Sequence, residues 1–520
     1  MGGGPIRRVV IAGGGTAGWI AAYALVKQLG ALLDITLVES EEIGTVGVGE
    51  STIPTARTFH QFMGIDEADF VRATGSTFKL GISFEDWARE GDRYIHSFGT
   101  LGRSTWMVEF HHFWLRAREL GIAAEIGEFC LEHQAAAARR FGPSDQVPLN
   151  YAYHLDAGLY GRYLRQLAEA AGVRRIEGKI AEVRQNGESG DIEALILETG
   201  QAIEGDLFID CTGFRALLIG KALDVAFEDW SHWLPTDSAL AVQSRATEPP
   251  PPYTRAIAHR AGWRWKIPLQ HRIGNGLVYS SAHMSDEEAR RLLDESISGE
   301  VLIEPRLIRF KAGYRRKVWV RNCVALGLSG GFIEPLESTS IHLIMIAVTR
   351  LLQVFPFREV SDAVAERFNL QSSREIEGIR DFIILHYHLT ERDDSDFWSD
   401  CRSLTVPDSL AQRIDLFREA AHAFQDTHDL FRVDSWVQVM LGQRLAPHGR
   451  HPAAQLMSEP QLRDALQSLR SNIVHAVTAM PTHQAWLRGF DAPDDLGSGA
   501  HGVAKAGERR SLHLDRESSL

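Results

Sequence analysis

Near the start of the chain, Gly13-Gly14-Gly15-Thr16-Ala17-Gly18 follows directly on the apolar run Arg8-Val9-Val10-Ile11-Ala12. It opens an alanine-rich helical stretch from Trp19 to Gly30. This order of strand, G-x-G-x-x-G and helix constrains the fold more than any other feature, because it specifies a βαβ unit shaped to hold a dinucleotide. Gly13 permits the tight turn, Gly15 lets the backbone approach a pyrophosphate, and Gly18 allows the helix to pack close to the strand. Thr16 and Ala17 stand where the helix N-terminus offers free N–H groups and partial positive charge to phosphate. A second strand, Asp34-Ile35-Thr36-Leu37-Val38, ends at Glu39, 21 residues after Gly18. A carboxylate at that spacing is placed to accept the ribose hydroxyls.

Two further glycine-rich turns, and a third strand ending in small residues, favour FAD over NAD. Gly44 to Pro54 carries Gly49, Glu50 and Ser51; Asp206 to Arg215 is an apolar strand running into Thr212-Gly213; Asn322 to Gly331 is another, with Gly327 and Gly331 in its turn. FAD is a long cofactor touched by several segments, whereas a NAD dehydrogenase more often stops after the first turn. The last turn is expected to close the ring end of the flavin site at the N-terminus of the next helix. With 55 basic and 68 acidic residues the chain has a net charge of −13, which argues against nucleic-acid or anionic-membrane partners. Cys130, Cys211, Cys323 and Cys401 show no C-x-x-C or metal spacing, so a reduced, cytoplasmic protein without a metal is expected. No signal-peptide h-region precedes the first strand, and no apolar run is long enough to span a membrane.

Three strings carry the chemistry. In Trp263-Arg264-Trp265-Lys266-Ile267-Pro268 the two tryptophans alternate on an extended segment and so share a face, and Pro268 stops the strand or holds it at an edge. Placed behind a flavin, such a wall keeps an organic substrate off the ring while leaving room for oxygen and a small anion. Lys79, in Ser76-Thr77-Phe78-Lys79-Leu80-Gly81, and Glu337, in Phe332-Ile333-Glu334-Pro335-Leu336-Glu337-Ser338-Thr339-Ser340, are charges in otherwise apolar or small company. By context alone each has an ordinary reading, a lysine snorkelling over an apolar face and a carboxylate at a helix start.

The W-x-W-x-I-P string, G-V-G-E-S-T at Gly47 to Thr52, F-K-L-G at Phe78 to Gly81 and E-P-L-E-S-T at Glu334 to Thr339 resemble the signatures of the flavin-dependent halogenases, the family of the tryptophan halogenases. The resemblance covers roughly residues 5 to 490. It implies an α/β fold with an FAD-binding Rossmann-like core, similar to flavoprotein monooxygenases, and an intertwined helical substrate module. The core is expected over 1–83 and 151–354, the helical module over 84–150 and 355–490, and a disordered tail over 491–520. The implied enzyme uses FADH2, O2 and halide to make hypohalous acid, which Lys79 and Glu337 direct onto an electron-rich aromatic. The resemblance also implies halide binding at the backbone N–H groups of Thr339 and Ser340, a tunnel wall of Trp263, Trp265, Pro268 and Ser338, and stacking residues His96 and Phe98. Trp436 is a further substrate candidate.

Ser340 stands where tryptophan-specific members usually carry glycine, so chloride and bromide both stay open, with a shift toward bromide as the guess. Ser435 to Gln443 lacks the tyrosine-rich stretch with which those members anchor the amino acid, which makes indole or an indole derivative the expected substrate. No second nucleotide fingerprint for NADH is visible, so FADH2 is expected from a separate flavin reductase by diffusion. An FAD-dependent aromatic hydroxylase and a non-catalytic FAD-binding protein are the alternatives.

Overall fold

The computed structural model describes residues 5–43 and 49–490. The expectations for Gly44 to Val48 and for a disordered tail over 491–520 lie outside the described residues. A six-stranded sheet forms the base, in the order Trp319–Val320, Cys323–Ala325, Leu207–Asp210, Arg8–Ala12, Asp34–Glu39, Arg174–Glu177. All neighbours run parallel except the first pair. Its central strands read as unbroken apolar runs because both faces are covered. Helix Thr16–Leu29 is buried continuously from Gly18 to Val26, since it lies between this sheet and the helices Ala157–Ala170 and Ser340–Gln353.

The stretch from Ile176 to Val183 reads as one strand but contributes to two. Arg174–Glu177 ends the parallel sheet, and Ile180–Gln185 joins a separate antiparallel meander with Ile192–Leu197 and Ala202–Glu204. The break falls at Gly178, whose N–H donates to the Glu39 carbonyl at 2.8 Å and whose missing Cβ would lie 2.8 Å from Leu197.

A seven-stranded sheet lies over the cavity in the order Arg306–Arg309, Ser238–Arg245, Arg272–Tyr279, Gly262–Pro268, Thr254–His259, Gly81–Glu85, Arg93–Ser97. The last two strands fall in a stretch whose pattern, from Phe84 onward, suggested helix. Gly81 explains their pairing: a Cβ there would meet the His96 carbonyl at 2.4 Å, so glycine lets the two strands close. Beyond Ser97 helices dominate, and Phe110–Glu119 shares one apolar cluster with Asp362–His388, Asp408–Ala420 and Val433–Gly442. The two distant helical stretches therefore have a common core.

A small antiparallel sheet joins these layers, with Ala152–Asp156 between Gly49–Ser51 and Thr77–Lys79. Phe78 anchors its outer strand, fully buried and stacked on Phe141 at 4.4 Å between ring centres. Because side chains alternate along a strand, burying Phe78 on one face presents Thr77 and Lys79 on the other. Phe78→Ala is expected to lower unfolding stability by about 3–5 kcal/mol, the usual cost of an aromatic core truncation. A denaturant titration against the parent checks this, and a loss under about 1 kcal/mol contradicts it.

Candidate active site

A cavity of about 830 Å³ runs from the first glycine turn to the tryptophan strand. At one end Gly13, Gly15, Thr16, Ala17 and Glu39 line it. Each glycine has its own physical reason. Gly13 has φ +105°, and a Cβ there would strike the Cys211 carbonyl at 2.3 Å. Gly18 packs rather than lines, since a Cβ would lie 1.9 Å from the Gly13 carbonyl. Gly15 has nothing within 4 Å of where its Cβ would stand. That free space, beside a helix whose N-cap has no side-chain partner, is what a pyrophosphate requires. Glu39 accepts from Arg175 Nε at 2.5 Å, which holds its carboxylate beside the turn. Arg162 and Arg165, from helix Ala157–Ala170, also line this end, although no local sequence pattern marks them.

Further along, Gly49, Glu50, Ser51, Gly327 and Gly331 line the same cavity. Burial pushes the Glu50 carboxyl up to about 7. Trp263 and Trp265 form the wall, both buried, with ring centres 5.9 Å apart. Trp265 lies flat because Gly276 is its cross-strand partner, where a Cβ would be 2.0 Å from the indole. Pro268 is the last residue of the strand and does not line the cavity; its carbonyl accepts from Thr77 Oγ1 at 2.6 Å. The residues are therefore those a flavin dinucleotide needs, a phosphate end and an apolar ring end in one continuous space.

At the ring end, Ser51 and Ser338 line the cavity and Lys79 stands behind them. Lys79 is fully buried, and its Nζ donates to Ser51 Oγ at 2.7 Å, Ser338 Oγ at 2.7 Å and the Thr52 carbonyl at 3.2 Å. Three donors meet three acceptors. Ser338 reaches this position from a left-handed backbone, φ 62°, between the turn Pro335–Glu337 and helix Ser340–Gln353. Thr339 caps that helix and is buried, while Ser340 begins it and lines the cavity. Their N–H groups have no intrahelical acceptor, the arrangement that favours a small anion.

Glu337, on the other side of the same turn, is 1% exposed. His96 Nδ1 approaches both its oxygens at 2.9 and 3.0 Å, and His386 Nε2 lies 2.9 Å from Oε1 as a contact rather than an aligned hydrogen bond. Burial alone pushes the Glu337 carboxyl up, but the two imidazoles outweigh it and hold it down at about 2. Burial pulls the Lys79 ammonium down to about 7, against a smaller upward pull from Glu337. Near neutrality the site thus contains a lysine that can lose its proton easily and a carboxylate that keeps its charge.

His96 is therefore held by Glu337, besides lying 5.5 Å from Phe382 and 6.2 Å from Phe431. Phe98 lies 5.2 Å from Lys79 Nζ. Trp436 is packed edge-on against Phe382 at 4.8 Å with Arg413 over its face, one layer behind these rings. His386, Phe382 and Phe431 escaped the sequence reading. His386 and Phe382 sit in the ordinary pattern of helix Asp362–His388, and Phe431 in the bend before helix Val433–Gly442; only the fold brings the three together here.

The tryptophan halogenase family model matches residues 8–459. The chain is 34% identical over 514 residues to tryptophan 6-halogenase SttH of Streptomyces toxytricini, covering 92% of this chain and 97% of that one. Among solved structures it resembles Xcc4156, a flavin-dependent halogenase from Xanthomonas campestris, with TM-score 0.92 and 52% identity over 94% of this chain and 98% of the other. BrvH, a flavin-dependent halogenase from Brevundimonas sp. BAL3, matches with TM-score 0.90 and 46% identity over 94% and 99%. The chain belongs to the tryptophan halogenase family. It is an enzyme of the oxidoreductase kind, with the α/β, FAD-binding Rossmann-like fold that the glycine turns imply. Among the described residues no helix is long and apolar enough to cross a membrane.

The depressed Lys79 value has a consequence for stability. An unfolded lysine keeps its proton to about pH 10.4, whereas the buried one releases it near 7. Between those values the unfolded state binds the extra proton, so stability rises with pH across this window. Lys79→Met is therefore expected to be more stable than the parent at about pH 6, with the advantage shrinking as pH approaches about 10. Denaturant unfolding at several pH values measures it; a constant difference contradicts the burial of a charged lysine.

Proposed function

We propose that this enzyme uses FADH2, O2 and halide to halogenate indole or a related electron-rich aromatic. The observation that carries the reading is the position of Lys79, suspended from Ser51 and Ser338 at the cavity's ring end with Glu337 on the far side of one turn. FAD held along the glycine turns would supply, as FADH2 with oxygen, the two-electron oxidation of halide to hypohalous acid, the second oxygen atom leaving as water. Thr339 and Ser340 hold the halide through backbone N–H groups. Lys79 orients the electrophile by hydrogen bonding. Glu337, kept ionised by His96 and His386, receives the proton lost when the halogen replaces hydrogen on the ring. Trp263 and Trp265 fill the space beside the flavin ring, where an aromatic hydroxylase would need its substrate. The helical stretches 84–150 and 355–490 act as one module over the substrate.

Indole is favoured over free tryptophan because helix Val433–Gly442 carries no tyrosine and its longer polar side chains are already engaged with the protein. Asp434 accepts from the Leu101 N–H, Gln438 binds the Ser97 backbone and hydroxyl, and Gln443 donates to the His386 carbonyl. What holds the substrate is then ring stacking, about 0.5–1.5 kcal/mol per pair beyond area burial. Such weak positional control leaves regiochemistry to the ring.

The experiment is incubation with FAD, a flavin reductase, NADH, bromide or chloride and a panel of indoles under air, read by mass spectrometry. Indole halogenated mainly at C3 is expected, with free tryptophan a poor substrate. Hydroxylated products, or efficient attack on a single benzo-ring carbon of tryptophan, overturn the reading. Lys79→Ala is expected to abolish halogenation while FAD binding and flavin reoxidation persist, and Glu337→Gln to slow turnover severely but less completely. Unchanged product formation in either variant refutes the assigned roles. Without the added reductase, NADH consumption by the purified protein is expected to be negligible. Rapid consumption coupled to product would show an internal reductase function.

A further inference from the structure

Behind Lys79 lies a row of buried polar groups that the mechanism above does not use. Ser51, His154 and Thr77 are register partners across the small three-stranded sheet, so the sheet itself sets them side by side. Thr254, at the start of the strand Thr254–His259, closes the row from the seven-stranded sheet. His154 is fully buried, with Nδ1 2.9 Å from Thr77 Oγ1 and Nε2 2.9 Å from Thr254 Oγ1. Thr254 Oγ1 is in turn 3.3 Å from Ser51 Oγ, which accepts from Lys79.

The proton directions in this row follow from its far end. The Pro268 carbonyl has no proton to give, so the Thr77 hydroxyl donates to it at 2.6 Å. Thr77 Oγ1 can then only accept from His154, which puts the ring proton on Nδ1. A neutral ring leaves Nε2 bare, and Thr254 donates to it. Neutrality has two supports: the ring lies wholly out of water, and the charged or titratable groups facing it are Lys79 and His483, which disfavour a second cation. With its only proton committed to His154, Thr254 cannot donate to Ser51. Ser51 Oγ also lies 2.7 Å from Ser338 Oγ, so its two lone pairs accept from Lys79 and Ser338 while its own proton points to Thr254.

We propose that His154 is a positioning residue for Lys79, acting through Thr254 to keep Ser51 an acceptor. Without a bare nitrogen at Nε2, the Thr254 hydroxyl turns toward Ser51, whose two lone pairs then face three donors, Lys79, Ser338 and Thr254. The ammonium then loses one of its three partners and its fixed aim. This inference rests on the halogenase reading for its activity assay, but not for its spectroscopic one.

Three variants separate positioning from packing. His154→Gln places an amide oxygen where Nε2 was, His154→Asn has a side chain too short to reach Thr254, and His154→Phe keeps the ring shape without the nitrogens. With FAD binding used to confirm folding, His154→Gln is expected to retain product formation within about threefold, while Asn and Phe lose about tenfold or more in kcat with little change in KM. Flavin reoxidation is expected to continue in all three, with more free hypohalous acid trapped by a scavenger in Asn and Phe. Equal losses in Gln and Asn, or none in Phe, overturn the proposal. Independently of turnover, long-range 1H–15N spectra of histidine-labelled protein, assigned by the His154→Gln variant, are expected to show His154 as the neutral Nδ1–H tautomer from about pH 6 to about pH 9. An Nε2–H tautomer, or an imidazolium in that range, overturns it. If the parent makes no halogenated product, the functional reading fails and the spectra still decide the tautomer.

Discussion

A lysine ammonium wholly removed from water is the constraint on which the rest of this site depends. Burying a charge without partners costs many kilocalories per mole, and the fold offsets that by bringing three oxygen acceptors to Lys79 Nζ. Two come from Ser51 and Thr52 and one from Ser338, segments more than two hundred residues apart. None of them can move without leaving an orphaned donor in the interior. The small sheet that carries Lys79 and Ser51, and the left-handed turn that carries Ser338, are therefore coupled through one side chain.

The same turn also fixes the opposite charge. Glu334 accepts from Tyr387 at 2.6 Å, and Glu337 lies against His386, so consecutive residues of helix Asp362–His388 hold the carboxylates that begin and end the segment Glu334 to Glu337. A helix normally presents neighbouring residues about 100° apart, and here that spread spans the turn. Burial raises the Glu334 carboxyl to about 7 while the imidazoles depress Glu337, so two glutamates three residues apart have opposite environments. Helix Asp362–His388 thus fixes the two glutamates as firmly as the chain segment that carries them.

Much of the architecture was legible from local rules. The strand–turn–helix at Arg8 to Leu29 has only one economical fold, because Gly13 and Gly18 are positions where any Cβ collides with a backbone carbonyl. Alternation in Trp263-Arg264-Trp265 put both indoles on one face without further information. The split at Gly178 and the strands Gly81–Glu85 and Arg93–Ser97 were not legible, since apolar runs of that length suit helix and strand alike. Lys79 and Glu337 stood out by resemblance to a family; their context alone also suited surface snorkelling and helix-start roles.

What the sequence by itself determined, then, is the dinucleotide turn, the tryptophan wall and the residue types of the chemistry, because each is written within a dozen neighbouring positions. Only the tertiary structure decided which acceptors receive the Lys79 protons, that His96 and His386 flank Glu337, and that His154 stands behind Ser51. Those relations depend on strand register and on a helix returning across the core, and hydrogen bonds between such distant segments leave no periodicity in the chain. Trp265 shows both halves of the lesson in one residue. Its face followed from alternation, but the room it occupies exists because Gly276 came to lie opposite it.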